Sequence, residues 1–440
     1  MRRALVSHRT LPLRHGRVLI AATTVLATAG VFAAPAASAA PGPATAIDHV
    51  LFSFGAKPCA GPLDGVIAGP GGVLYGTTDF GGIDDGGCVF SLTPGSSGYT
   101  ERVLLKFRFS GPGGGKPQGI VAGAHGDLFG NTIIGGTDNI GVVFELVPGG
   151  SGSYTERILH NFTGGTDGGQ PVGVPVLDAH GDLFGVTQFG GTGGQGVVYE
   201  MQRTPTGYTE KVLHTFTSTG GLPQAGLTMA SDGALFGTIY GFGQANPDGT
   251  VFRIQRGTAG AVYTPLYNFK GGTDGSMPDS ALTVDNHTGV IYGITQYGGS
   301  ASGIGNGTVF SLTPHGSGYA EHVLHAMAAN GADGFAMEGQ LLLTAHGSLF
   351  GTATSGGIKC SGIGCGTLFE LTPSGTSFTF RLLHQFTGPP DGADPEWSGL
   401  IPGPGGTLIG TTRSGGTARG CSDGGPGGVL GCGTVYQITP

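Results

Sequence analysis

The chain has 440 residues, 92 of them glycine, with 38% hydrophobic and 11% charged side chains and a formal charge of −8. The acidic balance runs against nucleic-acid binding, which calls for a basic stripe. The glycines follow no Gly-X-Y register, so a collagen helix is excluded.

Arg2, Arg3, Arg9, Arg14 and Arg17 precede an apolar run from Val18 to Ala34, and Ala37-Ser38-Ala39 then offers small residues for cleavage. This order predicts an export segment over 1–39 followed by a short linker, 40–47. The apolar run is short for a membrane span and is followed by small residues rather than a stop signal. Cutting after Ala39 removes five arginines and no acids, taking the formal charge to −13. No second long apolar run follows, so the mature protein is expected to be secreted, without a membrane anchor and monomeric.

From residue 48 onward one unit recurs. Leu74-Tyr75-Gly76-Thr77-Thr78 is followed by Leu128-Phe129-Gly130, Leu183-Phe184-Gly185, Leu235-Phe236-Gly237, Ile291-Tyr292-Gly293, Leu349-Phe350-Gly351 and Leu408-Ile409-Gly410, at a period of 52 to 59 residues. A fixed period of this size marks a solenoid, propeller or array. Each period carries four short strand signals, as in Gly119–Ala122, Leu128–Thr132, Val142–Leu146 and Tyr154–Phe162, separated by Gly, Asp and Pro turns. No segment keeps a 3.6-residue apolar period, so almost no helix is expected. The pattern predicts an all-β, seven-bladed β-propeller of four-stranded antiparallel blades over 48–440. The last unit stops after three strands, while Asp48–Phe54 matches the fourth strand Glu156–Phe162 position by position. The N-terminal strand is therefore expected to pair into the last blade, closing the ring and removing two open edges.

The units resemble the Gloeo/Verruco-type tandem repeat (the GloVer repeat). Gly307-Thr308-Val309-Phe310-Ser311-Leu312-Thr313-Pro314 and Leu383-His384-Gln385-Phe386 are close copies of its pattern, and the likeness covers residues 48 to 440. It implies a secreted or surface-exposed propeller. Members often carry a C-terminal anchoring segment that this chain is not expected to have, and the resemblance brings no catalytic residues with it.

His160, His214, His325 and His384 recur in the fourth strand, but Phe52, Leu105 and Tyr267 fill the same position. The position asks for bulk rather than a lone pair, so these histidines are read as structural. The pairs Glu101-Arg102, Glu156-Arg157 and Glu210-Lys211 are read as a solvated edge. Six cysteines in an exported chain point to disulfides. Spacing favours local pairs, Cys360 with Cys365 and Cys421 with Cys432, leaving Cys59 and Cys88 for each other. No Cys-x-x-Cys or neighbouring His pair suggests a metal.

Gly420-Cys421-Ser422-Asp423-Gly424 matches a nucleophile elbow, which needs a strand-to-helix turn that this glycine-rich loop does not offer. Gly113-Gly114-Gly115-Lys116-Pro117 imitates a phosphate loop, with proline where Ser or Thr is required.

One face is expected to gather the loops between second and third strands and the connectors between blades. It carries the turns Asp167-Gly168, Asp274-Gly275, Asp333-Gly334 and Asp391-Gly392, read as turn chemistry. Just before each first strand the repeat varies: Gln118, Val172, Gln224, Asp279, Glu338, then Glu396-Trp397. Variation on a fixed scaffold is where function sits. Asp279, Glu338, Asp394, Glu396 and Trp397 are thus the candidate binding residues. Trp397, the single tryptophan, suits stacking on a sugar or holding a cation.

The leading expectation is a non-enzymatic binding or interaction propeller for a carbohydrate, protein or cation, without a cofactor. The alternative is an extracellular polysaccharide hydrolase or lyase, which needs two carboxylates converging at the channel mouth with one pKa raised. One tryptophan is too few for the repeated docking motifs of quinone-dependent propellers.

Overall fold

The computed structural model describes residues 49–217, 221–241, 246–301, 305–357, 360, 362–418, 421 and 431–440. The export segment, the linker and, Cys421 apart, the Gly-x-Ser-x-Gly string lie outside these residues. Seven four-stranded antiparallel sheets follow one another, and a two-stranded ribbon joins Cys59–Ala60 to Phe80–Gly81. The only helical elements among the described residues are four three-residue 3-10 turns.

Blade 2 shows the construction. Its strands are Gly115–Ala122, Leu128–Ile134, Val142–Pro148 and Tyr154–Asn161. Val142 to Leu146 are five consecutive buried residues, whereas the outer strand Tyr154–Asn161 has none, alternating between half-buried and exposed over its first half and staying half-buried to its end. A strand wet on one face would alternate throughout, so an unbroken buried run means both faces are covered. The covering is the neighbouring blade on each side.

The repeated glycine has a specific task. Gly130 sits opposite Phe144 in the register, and a Cβ on it would fall 2.5 Å from the end of that ring. Gly76, Gly237, Gly293 and Gly351 face Phe90, Phe252, Phe310 and Phe369 in the same way, and Gly185 and Gly410 face Tyr199 and Tyr436. The close approach lies inside each blade, where the glycine makes a slot for the third-strand aromatic. The ring in that slot then meets the preceding blade edge-on. Phe107 meets Phe144 at 5.2 Å, Phe269 meets Phe310 at 5.0 Å and Phe386 meets Tyr436 at 5.3 Å. Edge-to-face packing of this kind adds about 1 kcal/mol beyond area burial. At the interface of blades 5 and 6 the flexible Met327 packs with Phe369 instead.

Each of the seven core clusters lies between two neighbouring blades. One of them joins Phe54, Ile409 and Val435 to Val66, Leu74 and Phe90, bridging the last blade and the first. The sheet made by the two ends of the chain runs His49–Ser53, Thr434–Ile438, Leu408–Thr412, Ile401–Pro402. Disulfides link Cys59–Cys88, Cys360–Cys365 and Cys421–Cys432, with Cα separations of 5.8, 5.6 and 5.4 Å.

At the outer rim, two sets of residues that look unrelated in sequence meet. His160 Nε2 lies 3.1 Å from Asp167, His325 3.0 Å from Asp333 and His384 3.0 Å from Asp391, while the Tyr267 hydroxyl donates to Asp274 at 2.7 Å. The Asp-Gly turn of each connector thus clasps the outer strand it has just left. His214 and His325 also stack on Tyr263 and Phe380 of the next blade at 4.1 and 3.9 Å. Arg157 and Lys211 pair with Glu145 and Glu200 at the surface. Glu101, Glu156 and Glu210 depart from the expected solvated edge, because each turns a carboxylate oxygen into a buried position without a hydrogen-bond partner among the described residues. Burial pushes Glu156 and Glu210 up to about 7.

Candidate site at the channel mouth

A cavity of about 240 Å³ runs along the propeller axis, and all seven blades contribute to its wall. Most of that wall is glycine and aliphatic: Val66, Ile120, Gly173, Val174, Leu227 and Leu400. Asp64, Glu338, Gln340 and Trp397 are the polar and aromatic exceptions. Of the five residues nominated from sequence, Glu338 and Trp397 line the cavity, while Asp279, Asp394 and Glu396 are set behind it.

The segment that leads into each first strand, or in blades 2 and 3 the start of that strand, places these side chains. Lys116, Gln170, Met277, Ala336 and Asp394 all take a left-handed φ of 54 to 57° at equivalent positions, which turns the chain toward the axis. Two residues after the connector proline, Gly119 and Gly173 are left-handed, as is Trp397 with φ 54°. Glycine takes that conformation at no cost, whereas a bulky side chain there is an outlier of the kind that clusters at ligand sites.

A second series stands at the end of each second strand: Asp79, Ile133, Gln188, Tyr240, Gln296, Thr354 and Arg413, each five residues past the strand's leading Leu or Ile. The two series interlock around the mouth. Arg413 pairs with Glu396 at 2.5 Å and with Asp79 at 3.3 Å, and Lys116 pairs with Asp79 at 3.2 Å. Gln296 donates to Glu338 at 3.3 Å, and Thr354 donates to its other oxygen at 3.1 Å. Tyr240 donates to Gln296 at 2.5 Å. Phe80 carries Lys116 4.2 Å above its ring and Arg413 at 5.2 Å.

The acids here outnumber the cations that face them, and they shift accordingly. Asp64 is 9% exposed; burial, then the charges of Asp79 and Glu396, push it up to about 7. Glu338 is raised to about 7 by burial and then by Glu396, against the smaller pull of its hydrogen bonds and of Arg413. Asp394, fully buried, also reaches about 7, mainly through burial. Asp279, 4% exposed, is raised well above its ordinary range by burial and by Glu338. The arrangement can offer protonated carboxyls as donors, share a proton between neighbours, or hold a positive group.

Asp64, Asp79, Lys116 and Arg413 are the residues that sequence reasoning missed. Their signal was present as an alignment: Asp79 and Arg413 occupy the variable end of the second strand, and Asp64 lies two residues after Pro62 in the first connector.

No curated protein matches the chain. Solved structures that it is similar to include a Thermus thermophilus protein described as an oxidoreductase (glucose dehydrogenase), 15% identical with a TM-score of 0.40 over 89% of this chain and 99% of that one. A periplasmic gluconolactonase of Pseudomonas aeruginosa is 17% identical, TM-score 0.47, over 83% of this chain and 95% of that one. The GH74 enzyme of Niastella koreensis is 14% identical, TM-score 0.47, over 80% of this chain and 50% of that one. The Gloeobacter/Verrucomicrobia repeat pattern matches residues 61–305 and 289–440. With its repeats matched over most of its length and folded into seven blades, the chain belongs to the Gloeobacter/Verrucomicrobia repeat family.

Proposed function

We propose that this is a secreted binding propeller that takes one sugar-sized group of a glycan into the mouth of its axial channel. The observation that carries the reading is the shared cavity: Trp397 offers a plate, Asp64 and Glu338 offer polar contacts, and the remaining wall is apolar. Few convergent polar groups on an apolar lining is the usual composition of a small-ligand site. A volume of about 240 Å³ falls just below the ~300–1,000 Å³ of drug-sized sites, which favours a single ring or a chain end over an extended polymer. Three disulfides support an extracellular setting, and no described helix is long and apolar enough to cross a membrane.

A second reading is hydrolysis or lysis of the bound glycan. It is favoured by Glu338, raised to about 7 beside Glu396, which pairs with Arg413. Such a couple suits an acid next to a base. A glycan array combined with turnover assays separates the two. Saturable binding without product, lost in Trp397→Ala, supports the binding module. Product formation that disappears in Glu338→Gln makes it an enzyme.

A further inference from the structure

Six carboxylates surround the channel mouth: Asp64, Asp79, Asp279, Glu338, Asp394 and Glu396. The two cations among them are already engaged, Lys116 with Asp79 and Arg413 with Asp79 and Glu396. Asp64, Asp279, Glu338 and Asp394 form no ion pair with any described Lys or Arg. Asp64 stands apart even within this set. It is 9% exposed, it lines the cavity, and its Oδ2 has no hydrogen-bond partner among the described residues. A buried polar atom left unmatched is costly unless something outside the chain completes it. Across the same cavity Glu338 has both oxygens hydrogen-bonded and feels only the weaker pull of Arg413, which is already paired with Asp79 and Glu396, and Trp397 lines the wall as well.

We infer that the group held in the channel mouth carries a primary ammonium, as an amino sugar does, with Asp64 and Glu338 receiving the ammonium and Trp397 covering the ring. This rests on the proposed glycan-binding role and names its ligand class. An ammonium supplies three donors on a compact charge, matching the Asp64 oxygen that the described residues leave unmatched and the Glu338 carboxylate that has no ion pair. It also neutralises carboxylates that otherwise repel one another in a site partly closed to water. An aromatic face near the cation adds to the attraction. A neutral sugar would leave the surplus negative charge as it is.

The charges that set the pH response are Asp79 and Glu396 facing Asp64, Glu396, Asp279 and Arg413 facing Glu338, and Lys116 at Asp79. On the acid side affinity falls as Asp64 and Glu338 take up protons. On the alkaline side it falls as the amine loses its own.

The test uses the whole mature protein with two probes of equal length, a chitosan oligosaccharide with free amines and its fully N-acetylated counterpart, by calorimetry at neutral pH. The expected result is at least tenfold tighter binding of the free amine, weakened at least tenfold by Asp64→Asn and by Glu338→Gln. Equal affinity for the two probes overturns the ammonium inference while leaving glycan binding intact. Binding of neither probe, nor of any neutral glycan, removes the binding role along with it. A lysine-containing peptide that binds more tightly than the sugar overturns the assignment to an amino sugar. If both variants fail to fold, the comparison of probes on the unaltered protein still decides.

Discussion

The outer rim and the channel mouth are built from the same residue types, yet Asp167 in a rim clasp behaves oppositely to the buried acids of the mouth. At the rim each aspartate belongs to one clasp. Burial would raise Asp167, but the hydroxyl and amide of Thr163 and the ring of His160 outweigh it and hold the carboxyl below its ordinary range. At the mouth burial acts on carboxyls that face one another, and Asp64, Glu338 and Asp394 rise to about 7. The rim repeats its clasp because it fastens blades. The mouth places a different residue on each blade, and its unmet electrostatics are what a ligand can satisfy.

The largest effect is expected from removing the cation that keeps the mouth tolerable. Arg413→Ala leaves Asp79 and Glu396 without their shared partner beside Asp64, at a cost of about 3 kcal/mol in urea unfolding. A neutral outcome would mean that the mouth acids are relieved by other means. Next comes the rim. Asp391→Ala takes the acceptor from His384 and from the amide and hydroxyl of Thr387, and should cost about 2 kcal/mol while leaving ligand binding unchanged.

The pH response follows. Acids raised in the fold bind more protons folded than unfolded between their ordinary range and about 7, so stability is greatest on the acid side of that window and declines as pH rises through it. The thermal midpoint should therefore be higher at pH 5 than at pH 7.5. The double change Asp64→Asn, Glu338→Gln should flatten that slope. Glu156, Glu210 and Glu321 between the outer strands, raised in the same direction, keep part of it. A midpoint that climbs steadily from pH 5 to 7.5 would contradict the sign. The smallest effect is expected at His214, which stacks on Tyr263 and whose protonation burial disfavours. His214→Phe should change stability by less than about 1 kcal/mol, since a flat ring replaces a flat ring.

The seven blades could be read from the sequence because one packing problem is solved seven times. Gly130 must face Phe144, so the spacing between them repeats wherever a blade does. Trp397 and Glu338 were visible for the opposite reason, as departures at a position that the repeat leaves free. Asp64 and Asp79 were not. Each is an ordinary acid near a turn in the chain, and its importance comes from neighbours contributed by the last blade: Thr411 donates to the backbone of Asp64, and Arg413 pairs with Asp79. Contacts spanning nearly the whole propeller leave no local pattern. The rim clasps were legible in halves. Histidine and Asp-Gly were each seen, but a seven- or eight-residue separation across a turn gives no periodic signal that joins them.

The last blade also joins the two ends of the described chain. Its outer strand, His49–Ser53, is made before any of the other blades, and its partner, Thr434–Ile438, only after all of them. Until then that strand has an unpaired edge, and Phe54 lacks part of its cluster. Joining the two means closing a loop of nearly the entire propeller, among the slowest kinds of contact to form. A product truncated anywhere before Thr434 would be more than a shorter propeller. It would be an open arc with a sticky strand at one end, and quality control would have a clear feature to recognise.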